Sequence, residues 1–179
     1  SAVARHLDIG SSTGKLMEAI QAAYQCVTVG IEPAELYRTY SAGRGLQVHP
    51  DLRALAEAVV ERFDLITMIH VLEHLADPVG YLVELRANWL SPDGVLVVEV
   101  PNLFGHFSLE RPHLVCFHAA TLRRALSAAG YGPRGIVVHG APRSRLIPLY
   151  LTAIAEVASE QGNARHETSP RGVRLRRRA

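Results

Sequence analysis

A chain of 179 residues, 48% of them hydrophobic, can bury one full core, and its length argues against a second domain of ordinary size. A formal charge of +2 and an aromatic content of 6% argue against a nucleic-acid groove, which needs basic residues spread over a folded surface with stacking rings beside them. Two cysteines cannot build a disulfide framework, no apolar stretch approaches membrane-spanning length, and a secretory leader pattern is missing at the amino end, so the sequence predicts a cytoplasmic protein.

In chain order, short apolar runs alternate with amphipathic stretches. The pattern predicts strand 5 to 10, helix 14 to 24, strand 26 to 31, helix 34 to 41, strand 46 to 49, helix 52 to 61 and strand 63 to 70. Helix 78 to 90 follows, with Asp77 as N-cap and Pro78 at the first helical position, where a missing N–H costs nothing. Ser91 to Gly94 reads as a turn before strand 95 to 100, whose predominantly apolar run suits a strand covered on both faces. A helix at 119 to 129 stops at Gly130, and apolar runs at 135 to 139 and 146 to 157 complete seven strands. Pro148 places the last run near a sheet edge or gives it an irregular start. The architecture predicted is α/β, Rossmann-like and doubly wound: a seven-stranded, mainly parallel sheet with one antiparallel strand near the C-terminus, in a single domain at 1 to 157. The tail at 158 to 179 is polar, aperiodic and basic, with Arg171, Arg174, Arg176, Arg177 and Arg178 near its end, and is expected to be poorly ordered.

The segment Leu7 to Gly14 carries the most chemical information. An apolar run ends in Asp8 and a small-residue turn, then opens into a helical pattern. Gly10 and Gly14 let main chain approach a ligand closely, and Ser11, Ser12 and Thr13 add small hydrogen-bonding groups, so this reads as a nucleoside-ligand loop. Glu32 closes the second strand, where a carboxylate can accept hydrogen bonds from both hydroxyls of a ribose. A phosphate loop fails on spacing and on Leu16, and a dinucleotide fingerprint would need glycines at Ser12 and Lys15.

The order of Asp8-x-Gly10-x-Ser12-x-Gly14, Glu32, Phe63 to Pro78 and Leu90 to Asn102 resembles the class I S-adenosylmethionine-dependent methyltransferases, in the small-molecule branch with a "VLEHL-DP" signature. The likeness covers roughly residues 5 to 157. The family usually has glycine at the Ser12 position. It also usually carries a helical segment ahead of the first strand, and a chain opening at Ser1 implies an open site or a shortened chain. The cofactor implied is S-adenosyl-L-methionine, held by Asp8, Gly10, Ser11, Ser12, Gly14, Glu32, Pro33, Asp51 and Leu52. Asp51 stands where the family's acid meets the adenine amino group, although it could equally cap the helix beginning at Leu52.

The same resemblance implies methyl transfer to a small-molecule acceptor, with oxygen favoured as the atom methylated; membrane and nucleic-acid partners are not expected. His70 and His113 are the catalytic candidates. His70 ends the fourth strand and could take an acceptor proton or only line the cofactor pocket; His74 fits the pinning of its turn. His106, His113, Cys116 and His118 crowd one segment, but their spacing fits no familiar zinc pattern, so no metal is expected and a substrate loop is the better reading. Histidine is a poor N-cap, so His118 before the helix at 119 could serve the site or simply replace a capping residue. The alternative to an enzyme is a non-catalytic cofactor-binding or scaffold domain that keeps the fold. Oligomeric state is not legible.

Overall fold

The computed structural model describes residues 3–58, 60–105 and 113–158. The expectations for the tail beyond residue 158 and for His106 lie outside these. Seven strands form one sheet: β1 (Arg5–Ile9), β2 (Val27–Ile31), β3 (Gln47–His49), β4 (Phe63–Ile69), β5 (Leu90–Pro101), β6 (Tyr131–His139) and β7 (Tyr150–Val157). Their spatial order is β3-β2-β1-β4-β5-β7-β6. The pairs β1–β2, β1–β4, β2–β3 and β4–β5 are parallel, and β7 runs antiparallel to both β5 and β6. The sheet thus has the predicted single reversed strand. The chain winds outward from β1 to β3, then restarts on the other side of β1 with β4, and a crevice opens at that switch beyond the carboxyl ends of the strands.

The helices are α1 (Lys15–Tyr24), α2 (Glu35–Ala42), α3 (Leu52–Ala58), α4 (Pro78–Glu84) and α5 (Ala119–Ala128). Strands β1, β2, β4, β5 and β7 send alternate residues into the core, where Leu7 and Ile9 meet Val29, Ile66, Met68, Leu96 and Val98. Asp77 caps α4 as predicted, accepting a 2.8 Å hydrogen bond from Gly80 N.

Three differences from the sequence reading have local causes. The helix predicted to 90 is α-helical only to Glu84; Leu85–Trp89 form a π turn closed by Leu90 N on Leu85 O, which leaves both Leu85 and Trp89 buried. The Arg62 guanidinium donates to the carbonyls of Arg86, Ala87 and Leu90 there, satisfying acceptors that a helix end leaves unpaired. Ser91 to Gly94 do not separate helix from strand. The strand starts at Leu90, opposite Phe63, and resumes pairing at Val95, opposite Leu65, so these four residues bulge out of the ladder. Finally, β5 is not sealed on both faces: Leu96, Val98 and Val100 are buried, but Val95, Val97 and Glu99 are half-buried, and Ile154, paired with Val97, is exposed.

At the carboxyl end, β6 begins at Tyr131 rather than 135, because Gly130 stops α5 at φ 82° and the Tyr131 hydroxyl is anchored on Leu82 O at 3.1 Å. It is β6 that lies at the edge, and it tolerates Pro133; β7 is internal and starts two residues after Pro148. Among the described residues, no helix is long and apolar enough to cross a membrane.

Candidate functional site

The loop after β1 is tied to the end of β2 by Gly10 N and Ser11 N, which both donate to Ile31 O at 2.7 and 2.9 Å. Gly10 turns at φ 77°, and a Cβ there would stand 2.4 Å from Val71 Cγ2, so glycine is required on both conformational and steric grounds. Ser12 adopts φ 48° in the same left-handed region, which accounts for the resembled family's preference for glycine at that place. Glu32 spans the loop from the other side: Oε2 accepts from Ser12 N and Oε1 from Ala34 N, each at 2.9 Å. Each carboxylate oxygen keeps further acceptor capacity for a ligand hydroxyl.

A cleft of about 710 Å³ runs along the carboxyl ends of β1, β2 and β4. Of the predicted cofactor residues, Gly10, Glu32, Pro33, Asp51 and Leu52 line it, as does His70. Asp51 Oδ1 also accepts from Ala54 N at 2.8 Å, so the capping role and the cleft position coexist in one side chain. Ser12 borders the cleft through its amide on Glu32, and Gly14 starts α1 in the left-handed conformation. Ser11 is buried with its hydroxyl unpartnered among the described residues. Ile9, Ile31, Val71, Leu75 and Tyr81 supply apolar walls. Burial pushes the Tyr81 phenol up to about 12, a shift that Glu84 and Asp51 reinforce.

Asp8 does not line the cleft. It is 3% exposed and lies beneath the loop, accepting from Thr67 Oγ1 at 2.6 Å. Behind Thr67, His6 Nε2 is 2.8 Å from the same hydroxyl and His6 Nδ1 is 2.8 Å from Thr28 Oγ1. With Asp8 ionised, Thr67 gives its proton to the carboxylate, so His6 donates through Nε2 and accepts from Thr28 through Nδ1. Burial raises the Asp8 carboxyl to about 6, with the Thr67 hydrogen bond opposing and the Glu32 charge adding to the shift. Burial lowers the His6 imidazole to about 4.

A second, smaller cleft of about 270 Å³ is lined by His70, Glu73, His74, Pro101, His113, Arg143 and Tyr150. The two predicted catalytic histidines meet here, and only His70 and His74 border both clefts. His70, at φ 55°, stands between two carboxylates: Nδ1 is 3.4 Å from Glu73 Oε1 and Nε2 is 3.5 Å from Glu99 Oε1. Glu99 Oε2 accepts from Thr152 Oγ1 at 2.6 Å and lies 3.3 Å from His139 Nε2. His74 and His113 face edge to plane with centroids 4.9 Å apart. His118 stands apart from this cluster and caps α5, its Nδ1 accepting from Ala120 N at 3.3 Å while Thr121 Oγ1 accepts from His118 N at 2.9 Å. The capping role that histidine fills poorly in general is the one it has here.

Sequence reasoning missed Glu99, Arg143, Tyr81 and Tyr150. Glu99 had a usable signal, being the single carboxylate inside an apolar strand run. Arg143 had none, because only the path of the chain between β6 and β7 brings it to this cleft.

Comparison with known proteins places these features in company. A family model described as a methyltransferase domain matches residues 1–133. The chain is 35% identical over 106 residues to the ubiquinone biosynthesis O-methyltransferase of Haemophilus ducreyi, covering 54% of this chain and 44% of that one. It is 35% identical over 105 residues to the enzyme of the same name from Ruegeria pomeroyi, covering 55% and 41%. The chain therefore spans less than half the length of these curated relatives. Among solved structures, the CcbJ methyltransferase of Streptomyces caelestis superposes with a TM-score of 0.71 at 16% identity, covering 89% of this chain and 85% of that one. A SAM-dependent methyltransferase from Archaeoglobus fulgidus gives 0.66 at 18% identity, covering 85% of each. At such identities the structural likeness concerns the fold.

Proposed function

The chain belongs to the methyltransferase-domain family, and from that premise we propose that it transfers a methyl group from S-adenosylmethionine to an oxygen of a small-molecule acceptor. The observation that carries this reading is the meeting of two clefts at His70, one shaped for a nucleoside and one lined by polar side chains. The larger cleft fits the donor: its volume falls in the range of small-ligand sites, its walls are apolar, and Glu32 presents a carboxylate where a ribose would lie. The names of the curated relatives support oxygen as the methylated atom. The unpaired state of Cys26 and Cys116 supports a reducing, cytoplasmic setting.

When bound, the sulfonium supplies an activated methyl group, so the protein's task is alignment, exclusion of water and management of one proton. Glu32 holds the ribose, Asp51 takes the adenine amino group, and Gly10 allows main chain to approach. Asp8 acts from below the loop, fixing its geometry through Thr67. His70 lies at the junction and takes the proton of the acceptor hydroxyl, with Glu73 and Glu99 orienting its ring. His113 contributes to the acceptor side. Calorimetry with S-adenosylhomocysteine tests the donor site. Absence of binding by folded protein, persisting in Ser12→Gly, would overturn the reading; methyl transfer to phenols rather than amines checks the acceptor atom.

A further inference from the structure

From the smaller cleft we infer that the methyl acceptor is a hydroxyl-bearing carboxylic acid, its carboxylate held by Arg143 while its hydroxyl faces His70. The inference rests on the methyl-transfer reading and adds the acceptor's chemical class to it. Arg143 lines this cleft and not the larger one, whereas His70 borders both. Among the described residues the Arg143 guanidinium has no hydrogen-bond or ion-pair partner. Glu73 and Glu99 approach the His70 ring instead, at 3.4 and 3.5 Å. Negative charge is thus gathered around His70, and the guanidinium stands apart from it. That separation orients an acid: its carboxylate is drawn to Arg143 and kept away from the carboxylates at His70, which leaves the hydroxyl end for the junction with the donor cleft.

The turn that carries Arg143 is held by its own backbone. Ser144 N donates to Gly140 O at 2.6 Å, closing the chain around Arg143, and the Ser144 hydroxyl accepts from Leu146 N at 3.1 Å and Ile147 N at 2.8 Å. A Cβ at Gly140 would overlap Ile147 O, so the two limbs of the loop press together there. Asn102, just after β5, fastens the returning limb: its backbone N donates to Leu149 O at 2.8 Å and its side-chain amide to Pro148 O at 2.7 Å. A guanidinium on a fixed turn loses less freedom on binding than one on a loose loop. Its fork of N–H groups matches a carboxylate through two parallel hydrogen bonds. One cation in a cleft that also holds Glu73 suits a single negative charge better than a dianionic phosphate ester. The cleft volume of about 270 Å³ calls for a compact acid. The carboxylate takes no part in bond making; it sets which hydroxyl reaches the methyl group.

The test is calorimetric titration of the protein, with and without S-adenosylhomocysteine, by phloretate and mandelate, each beside its primary amide, which keeps the shape and removes the charge. At least one acid should bind about tenfold or more tightly than its amide, and Arg143→Gln should abolish that preference while leaving affinity for the amide within about twofold. Arg143 is exposed, so the substitution leaves the core intact. Arg143→Lys, which keeps the charge without the fork, should fall between. Arg145→Gln, on the same loop but outside the cleft, should keep the full preference. Failure of both acids to outbind their amides, or a preference that survives Arg143→Gln, overturns the inference, as does tighter binding of the monophosphate ester of hydroquinone than of either acid. S-adenosylhomocysteine affinity in the same samples separates the two readings, and Arg143→Gln should leave it unchanged. Intact nucleoside binding with no preference for acids defeats this inference alone; an Arg143-dependent preference for acids without nucleoside binding defeats the donor reading alone. For an acid that is turned over, Arg143→Gln should raise KM about tenfold or more and largely spare kcat.

Discussion

Thr67 Oγ1 donates a 2.6 Å hydrogen bond to Asp8 Oδ1, joining β4 to β1 directly beneath the ligand loop. That contact keeps a nearly inaccessible carboxyl in one orientation at the start of the turn that forms the cleft.

The pair Asp8 and His6 should leave a readable trace in stability against pH. Asp8 is raised from 3.8 to about 6, so its contribution is full below pH 3.8 and is lost as pH rises through 6. His6 is lowered from 6.5 to about 4, so its contribution is full above pH 6.5 and is lost as pH falls through 4. The two slopes oppose each other, and the wild type should show little net dependence from this pair. Asp8→Asn removes the first slope, so the variant's unfolding free energy relative to wild type should rise by about 2 kcal/mol between pH 4 and 6.5. Urea unfolding at several pH values measures this; a pH-independent difference would contradict the buried acid.

Glu32→Ala should weaken S-adenosylhomocysteine binding by about 1 to 3 kcal/mol, because it removes the ribose acceptor and the anchor of two backbone amides. Calorimetry reads the loss. Glu32→Gln, which keeps one carbonyl acceptor, should fall between wild type and alanine.

Opposite substitutions in the loop should move stability in opposite directions. Ser12→Gly relieves a left-handed backbone and should stabilise by about 0.5 to 1 kcal/mol after the entropy of glycine is counted. Gly10→Ala forces a Cβ against Val71 at an unfavourable φ and should cost about 2 kcal/mol or more. Thermal and denaturant unfolding decide, and a destabilised Ser12→Gly would sink the strain argument.

His70→Gln should lower kcat by about 10² to 10⁴ while leaving nucleoside affinity within a few-fold, as expected of a proton acceptor at the edge of the donor cleft. Glu99→Gln should lower kcat less, with little change in KM for the donor, because it touches the reaction only through His70. Steady-state kinetics on a turned-over phenol separates the two, and equal loss of donor affinity in both would recast them as cofactor ligands.

Much of this molecule was written locally. The alternation of apolar runs with amphipathic stretches set the seven strands, and the turn at Gly10 to Gly14 with Glu32 marked the sheet edge where the larger cleft opens, because periodicity and left-handed backbone demands act over a few residues. Asp77 was recognisable as a cap for the same reason. Tertiary structure alone decided the rest. Registering β5 against β4 made Ser91 to Gly94 a bulge and set Glu99 opposite Ile69, beside His70. Hydrogen bonds from Leu114 and Val115 to Glu73 brought His113 to the His74 turn, and the path between β6 and β7 delivered Arg143. Those meetings join residues far apart in sequence, and pairing at that range is fixed by sheet register and core packing, which no local pattern encodes.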